Sequence, residues 1–259
     1  MTTESPIMQL DGYDIDVIVQ GYPGKSVCHG GLGWSTIVLL RGHGRVALVD
    51  VGGFNIRQSL IERLMHRGLK PTDVTDLLLT HAHHDHCINW TTFSHARIVL
   101  GRQEMEWAAT VPWGTGPVPE LYVEKLQGWK TLHAAAEGEE VMPGITAHTM
   151  PGHTPGHLVY LLKGRDHDVI FTGDAAKNRA EMLGGRADGT YDQSVSMASI
   201  ASIWALWRNR PGNVLIPGHD IPMVLKEGRP EYLAKQEAAI KAWFGDDLDT
   251  MTTIELAVK

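Results

Sequence analysis

The stretch Thr80-His81-Ala82-His83-His84-Asp85-His86 follows directly on the apolar run Leu77-Leu78-Leu79. Four imidazoles and a carboxylate within six positions, delivered where a strand-like run ends, are costly to gather unless they converge on a cation. A solvated loop has no need of such a pattern. In an extended segment His81 and His83 point the same way. A turn after them would bring Asp85 and His86 round to the same place.

Further ligand types stand downstream. His153 in Pro151-Gly152-His153, Asp174 in Thr172-Gly173-Asp174 and His219 in Pro217-Gly218-His219 each follow an apolar, strand-like stretch. The chain thus presents ligand types four times, each time at the end of a strand. Neutral imidazoles suit zinc and other late divalent ions, and carboxylates suit harder ones, so the mixed set admits Zn²⁺, Mn²⁺ or Fe²⁺.

His81-x-His83-x-Asp85-His86 followed by these three motifs, in this order over roughly residues 35 to 220, resembles the signature of the metallo-β-lactamase-fold hydrolases. Pro151-Gly152-His153-Thr154-Pro155-Gly156-His157 and the spacings between motifs look most like the N-acyl homoserine lactonases. The resemblance implies an α/β fold, the four-layer αββα sandwich, as one domain over residues 1–259. It also implies two divalent metal ions, Zn²⁺ foremost. His81, His83 and His153 would hold one, Asp85, His86 and His219 the other, and Asp174 would bridge them. The implied activity is hydrolysis: a hydroxide shared by the two ions opens a lactone, ester or amide of a small molecule. Asp85 is expected to orient that hydroxide and then protonate the leaving oxygen.

Other residues take their expected parts from this frame. Asp50, in Leu48-Val49-Asp50-Val51-Gly52, occupies the family's acidic position after an early strand and is expected to orient a ligand by hydrogen bonding, with Thr80 assisting. Lys177 marks a departure, because the lactonases commonly carry a tyrosine three residues after the bridging aspartate. A lysine there can donate to an oxyanion or pair with a substrate carboxylate, so Lys177 joins Asp85 as a catalytic candidate. His84 is expected outside the ligand set, His157 as a structural histidine, and Cys87 as a small buried side chain. His29 and His43 receive no role.

Two other branches of the fold compete. A glyoxalase II-type thioesterase shares the ligands but would carry a basic C-terminal grip for glutathione, whereas this chain has Asp246-Asp247-Leu248-Asp249. The other is the redox branch, flavodiiron proteins and persulfide dioxygenases; the flavodiiron proteins typically replace the second histidine of the first motif with glutamate, and His83 argues against those.

Composition sets outer bounds. The 259 residues are 43% hydrophobic and 20% charged, an ordinary globular balance. A formal net charge of −7 disfavours nucleic acid, which needs a basic surface. A metal pair would still attract an anionic small molecule. Two cysteines, Cys28 and Cys87, fit a reducing cytoplasm better than a disulfide framework. Met1 to Met8 has no basic start followed by an apolar run, and no segment nears the ~20 apolar residues that span a membrane. The expected setting is cytoplasmic, with a small-molecule substrate, no nucleic acid, no membrane, and a homo-oligomer left open.

Periodicity predicts strands over 13–20, 35–40, 45–51, 75–79 and 214–216, and a loop over Gly21 to Gly33. It predicts helices over 55–67, with Asn55 as N-cap, over 103–109, and over 196–208, with Met197, Ile200, Trp204 and Trp207 on one face. A terminal helix is expected over 231–244. The Gly21–Gly33 loop, the loop around Trp113 and the start of the Trp204 helix are candidates to wall a partly apolar pocket.

Overall fold

Along the strand Ile37–Gly42, Val38 and Leu40 face one way while Ile37 and Leu39 face the other, and all four are buried. A sheet buried on both faces needs a layer against each. On one side Val38, Leu40, Ala47 and Val49 meet Tyr160, Leu162 and Phe171 of a second sheet. On the other, Leu39, Leu48, Leu77 and Ile98 are covered by Leu60 and Leu64 of the helix Arg57–His66 and by Val123 and Leu126 of the helix Glu120–Gln127. The second sheet repeats the arrangement, with Val159, Leu161, Ile170 and Leu215 packed beneath Met182, Ile200, Ile203 and Trp207. Helix, sheet, sheet, helix: the architecture is an αββα sandwich. Each such aliphatic side chain contributes roughly 1.5–3 kcal/mol when fully buried.

This computed structural model describes residues 8–257. Residues 1–7, read above as lacking a secretory signal, lie outside that range. Both main sheets have seven strands. In space the first runs Met8–Leu10, Tyr13–Val19, Ile37–Gly42, Arg45–Val49, Asp76–Leu78, Arg97–Gly101 and Leu132–Ala135. It is antiparallel as far as Arg45–Val49 and parallel beyond. The second runs Glu140–Met142, Ile145–Thr149, Leu158–Leu162, Val169–Gly173, Val214–Pro217, Met223–Lys226 and Arg229–Tyr232, and its one parallel pair joins Val169–Gly173 to Val214–Pro217. Loops leaving the carboxyl ends of parallel strands gather at one edge, where open α/β sheets place their ligands. Here those loops begin at Asp50, Thr80, Asp174 and Gly218. Backbone hydrogen bonds tie the sheets together at this edge, from Leu158 N–H to Thr80 O at 2.8 Å and from Thr36 N–H to Gly218 O at 2.6 Å.

Several expected elements differ. No helix forms over 231–244: Arg229–Tyr232 closes the second sheet, and Ala239–Ala242 pairs antiparallel with Thr252–Glu255. Local spacing favoured a helix, but the β-branched run Thr252-Thr253-Ile254 supplies a partner strand, and Ile240 stands opposite Ile254. Asn55 does not cap the first helix; it lies inside a single 3₁₀ turn, Phe54–Ile56, and the α-helix starts at Arg57. The long helix spans Gln193–Arg208, capped by Asp192, whose side chain accepts from Val195 N–H at 3.0 Å. Its buried face holds Ser196, Ser199, Ile200, Ile203 and Trp207, while Met197 is 50% exposed. The Gly21–Gly33 segment contains a small hairpin, Lys25–Ser26 with Gly30–Gly31. Among the described residues no helix is long and apolar enough to cross a membrane.

Candidate metal centre

The strand Asp76–Leu78 ends in an extended passage through Thr80 to His83, then a short helix, His84–Cys87. The extended part carries His81 and His83. The helical turn brings round Asp85 and His86, while His84 is exposed. The glycines ahead of the later ligands permit close approach. A Cβ on Gly218 would stand 2.3 Å from Asp174 Oδ1, and Gly173 has φ +47° with its Cβ position 2.7 Å from Thr80.

All seven expected ligands come together. His83 Nδ1 lies 3.0 Å from His153 Nε2, and His86 Nε2 lies 3.2 Å from His219 Nε2. Asp174 stands between the pairs, with Oδ2 3.3 Å from His153 Nε2 and Oδ1 3.2 and 3.3 Å from the Nε2 atoms of His86 and His219. Asp85 Oδ2 is 3.3 Å from His219 Nε2 and 3.6 Å from His86 Nε2. Ligand atoms within 4.8 Å of one another form three overlapping groups able to hold an ion: His81, His83 and His153; His81, His86 and Asp174; Asp85, His86 and His219.

Asp50 and Thr80 determine which ring nitrogens are free. A carboxylate only accepts, so His86 donates from Nδ1 to Asp50 Oδ2 at 2.8 Å, which leaves Nε2 as the nitrogen that can turn to an ion. Thr80 donates its hydroxyl to Asp50 Oδ2 at 2.9 Å and is left to accept from His81 Nδ1 at 3.0 Å. His81 Nε2 then carries a lone pair, buried and without a hydrogen-bond partner among the described residues. Orphaned buried acceptors of this kind are rare unless something positive belongs beside them.

The electrostatics favour a cation here as well. Burial, reinforced by neighbouring imidazoles, pushes His81 well below the usual imidazole range. Burial likewise holds His153 well below it, against the pull of Asp174. Burial takes His83 down to about 4 against Asp174 and Asp85. These three rings are neutral, the form that binds metal. At His86 burial is outweighed by Asp174, Asp85 and Asp50, and at His219 by Asp174, so both pKa values are raised. Asp174 itself is held well below the carboxylate range, its burial overcome by His219, His86 and His153. The chemistry of the donor set therefore fits divalent ions.

His157 is structural, as expected, since its Nε2 accepts the backbone N–H of Asp174 at 3.0 Å. Cys87 is buried, and burial pushes its thiol well above the usual range. Lys177 has its amine engaged, 3.1 Å from Glu181 Oε1 and donating to Asp188 O at 2.5 Å. Two buried residues escaped the sequence reading. Asn89 donates to the carbonyls of Val51, Gly52 and Gly53 at 2.9, 3.2 and 2.7 Å, securing the loop that follows Asp50. Glu104 binds the loops of His81–His83 and His153–His157 at once, and burial raises its carboxyl to about 7. Neither lies in a motif, so no local signal marks them.

Beside the cluster a cavity of about 680 Å³ opens from His83 and His153, walled by Trp107, Val111, Pro117 and Tyr191. The loop around Trp113 does contribute to it, although Trp113 itself is 65% exposed and lies outside the lining. The other two expected walls are absent from it. Tyr22 and Pro23 line a separate cavity, and Trp204 packs at 5.2 Å from Trp207 with its Nε1 bonded to Met182 O.

Residues 30–219 match the model of the metallo-β-lactamase superfamily, and the chain belongs to that superfamily of metal-dependent hydrolases. The chain is similar to metallo-β-lactamase domain-containing protein 1 of Xenopus laevis, 30% identical over 196 residues that cover 73% of this chain and 72% of that protein. To the N-acyl homoserine lactonase of Bacillus cereus it is 26% identical over 165 residues, 62% of each chain and so under two thirds of the lactonase. Among solved structures, the dizinc quorum-quenching lactonase AidC superposes with a TM-score of 0.69 at 16% identity, covering 90% of this chain and 98% of that one. At that identity the likeness speaks for the fold alone.

Proposed function

We propose that this protein is a binuclear metallohydrolase that opens the ring of a small, largely apolar lactone, with acyclic esters as secondary substrates. The observation that carries the reading is the division of Asp174, one carboxylate oxygen beside His153 and the other beside His86 and His219. His81, His83 and His153 would hold one ion, Asp85, His86 and His219 the second, and Asp174 both. Two such ions, Zn²⁺ foremost with Mn²⁺ or Fe²⁺ as alternatives, would supply a hydroxide near neutral pH and polarise a carbonyl.

The chain's own residues supply the rest. Asp50 and Thr80 keep His86 and His81 in the tautomers that turn a lone pair inward. Asp85 has a side chain 28% exposed against 5% for Asp174, so it is the carboxylate of the cluster placed to take up a proton and pass it to the leaving oxygen. Lys177 acts through its bond to Asp188 O, holding the loop that presents Tyr191 to the cavity. Among the described residues no Asp, Glu, Lys or Arg lines that cavity, which supports a neutral substituent on the substrate over a charged one. The net charge of −7 supports a small molecule over nucleic acid, and two free cysteines support a reducing cytoplasm.

The test is turnover by metal-replete protein across lactones, thioesters, esters and amides of matched acyl length. The reading expects the highest kcat/KM on lactones. A clear preference for thioesters would transfer the assignment to the glyoxalase II-type branch.

A further inference from the structure

Glu104 is wholly buried, in the first turn of the helix Arg102–Ala108. A carboxylate enters such a place only where donors replace its water. Its donors divide by loop. Oε1 accepts from Ala82 N–H at 2.9 Å, between His81 and His83. Oε2 accepts from Thr154 Oγ1 at 2.7 Å, directly after His153, and from Gly156 N–H at 3.1 Å. Among the described residues no cation shares the carboxylate, so it is held by neutral donors. For plain packing an apolar residue would serve better. What a carboxylate adds is fixed reach to donors on two separate segments.

The approach is built in from both sides. A Cβ on Gly156 would fall 2.0 Å from Glu104 N, and a Cβ on Gly101 would fall 2.7 Å from Gly156 O. Only glycine at these positions lets the start of the helix sit against the second loop. The two segments then carry His83 and His153 to a nitrogen–nitrogen separation of 3.0 Å.

We infer that Glu104 is a positioning residue that sets the separation of the loops bearing His83 and His153, and thereby the affinity of the metal subsite those histidines share. The inference rests on the metal-site reading above. Partners one shell out from a metal typically change its affinity by 10–100-fold when removed. Glu104 bonds directly beside His81, His83 and His153, whereas Asp85 and His86 lie in the helical turn beyond and His219 follows another strand.

The experiment is titration of the full, metal-stripped chain with Zn²⁺ against a chromophoric chelator, for wild type, Glu104→Ala, Glu104→Gln and Thr154→Val. In Glu104→Ala one metal equivalent should weaken about 10–100-fold and the other should keep its wild-type affinity. Glu104→Gln should fall between, because an amide oxygen keeps the donors of one loop while its NH₂ faces those of the other. Should Glu104→Ala fail to fold, judged by far-UV circular dichroism, Thr154→Val should still weaken the same single equivalent by a few-fold. Unchanged affinities in the folded variants, or equal weakening of both equivalents, would overturn the inference. A wild-type chain that takes up no Zn²⁺ would instead overturn the metal-site reading itself.

Discussion

His86 Nδ1 stands 2.8 Å from Asp50 Oδ2, and this hydrogen bond decides what the opposite nitrogen of the ring can do. With one proton fixed on Nδ1, Nε2, which faces His219 and Asp174, is the nitrogen that gives up its proton to make room for an ion. An amide at position 50 inverts the arrangement. In Asp50→Asn the side-chain oxygen can still accept from Thr80 N–H, while the NH₂ group faces His86 Nδ1 and moves the ring proton to Nε2. Asp50→Asn should fold and lose about 10–100-fold in affinity at one metal equivalent, read by chelator competition. Wild-type affinity at both equivalents would show that the tautomer is set elsewhere.

The two halves of the cluster should differ in their response to pH. His81, His83 and His153 lie below the ordinary imidazole range, so an ion entering among them near neutrality displaces no proton. His86 and His219 lie above 6.5, and an ion there must displace the protons they hold in the metal-free chain. Affinity at that subsite should therefore fall as pH drops through the raised values, by about tenfold per unit for each proton displaced. The first subsite should persist until His83 titrates at about 4. Calorimetry in buffers of different ionisation enthalpy should find proton release with one equivalent alone; equal release with both would contradict this.

The thiols give an independent check on the burial of the ligand helix. Cys28 is exposed, whereas Cys87, next to His86, is buried with its pKa pushed well up. An alkylating reagent at pH 8 should modify Cys28 in the native chain and reach Cys87 only after denaturation, as mass spectrometry of the peptides would show. Labelling of both at similar rates would mean that the segment after His86 opens.

The apolar cavity predicts a division between binding and chemistry. Trp107 lines it beside His83, 6.0 Å ring to ring from Tyr191. Trp107→Ala should raise KM about tenfold for a long-chain lactone, with kcat changed far less, because the lost contact acts in ground state and transition state alike. An equal fall in kcat at unchanged KM would place Trp107 nearer the reacting atoms than the cavity suggests.

Much of the centre was legible in the sequence because metal ligation leaves local marks. His81 to His86 must be spaced for one turn of chain, and the glycines before His153, Asp174 and His219 admit close backbone approach. Asp50 was legible only through resemblance, since a lone aspartate after a strand reads as a turn. Glu104 and Asn89 were illegible for a physical reason: each sits in ordinary helical sequence, and its partners lie 22 to 52 and 32 to 38 positions away. The hairpin in place of a terminal helix has the same origin. Residues 231–244 carry spacing compatible with a helix, and only pairing with Thr252–Glu255 selects the strand.

The division of Asp174 between two groups of histidines is tested most directly by metal content. Elemental analysis of the purified, metal-replete chain should give about two divalent ions per wild-type molecule and one or fewer in Asp174→Ala. A wild-type value near zero, or an Asp174→Ala chain that keeps both ions at undiminished affinity, would contradict the account.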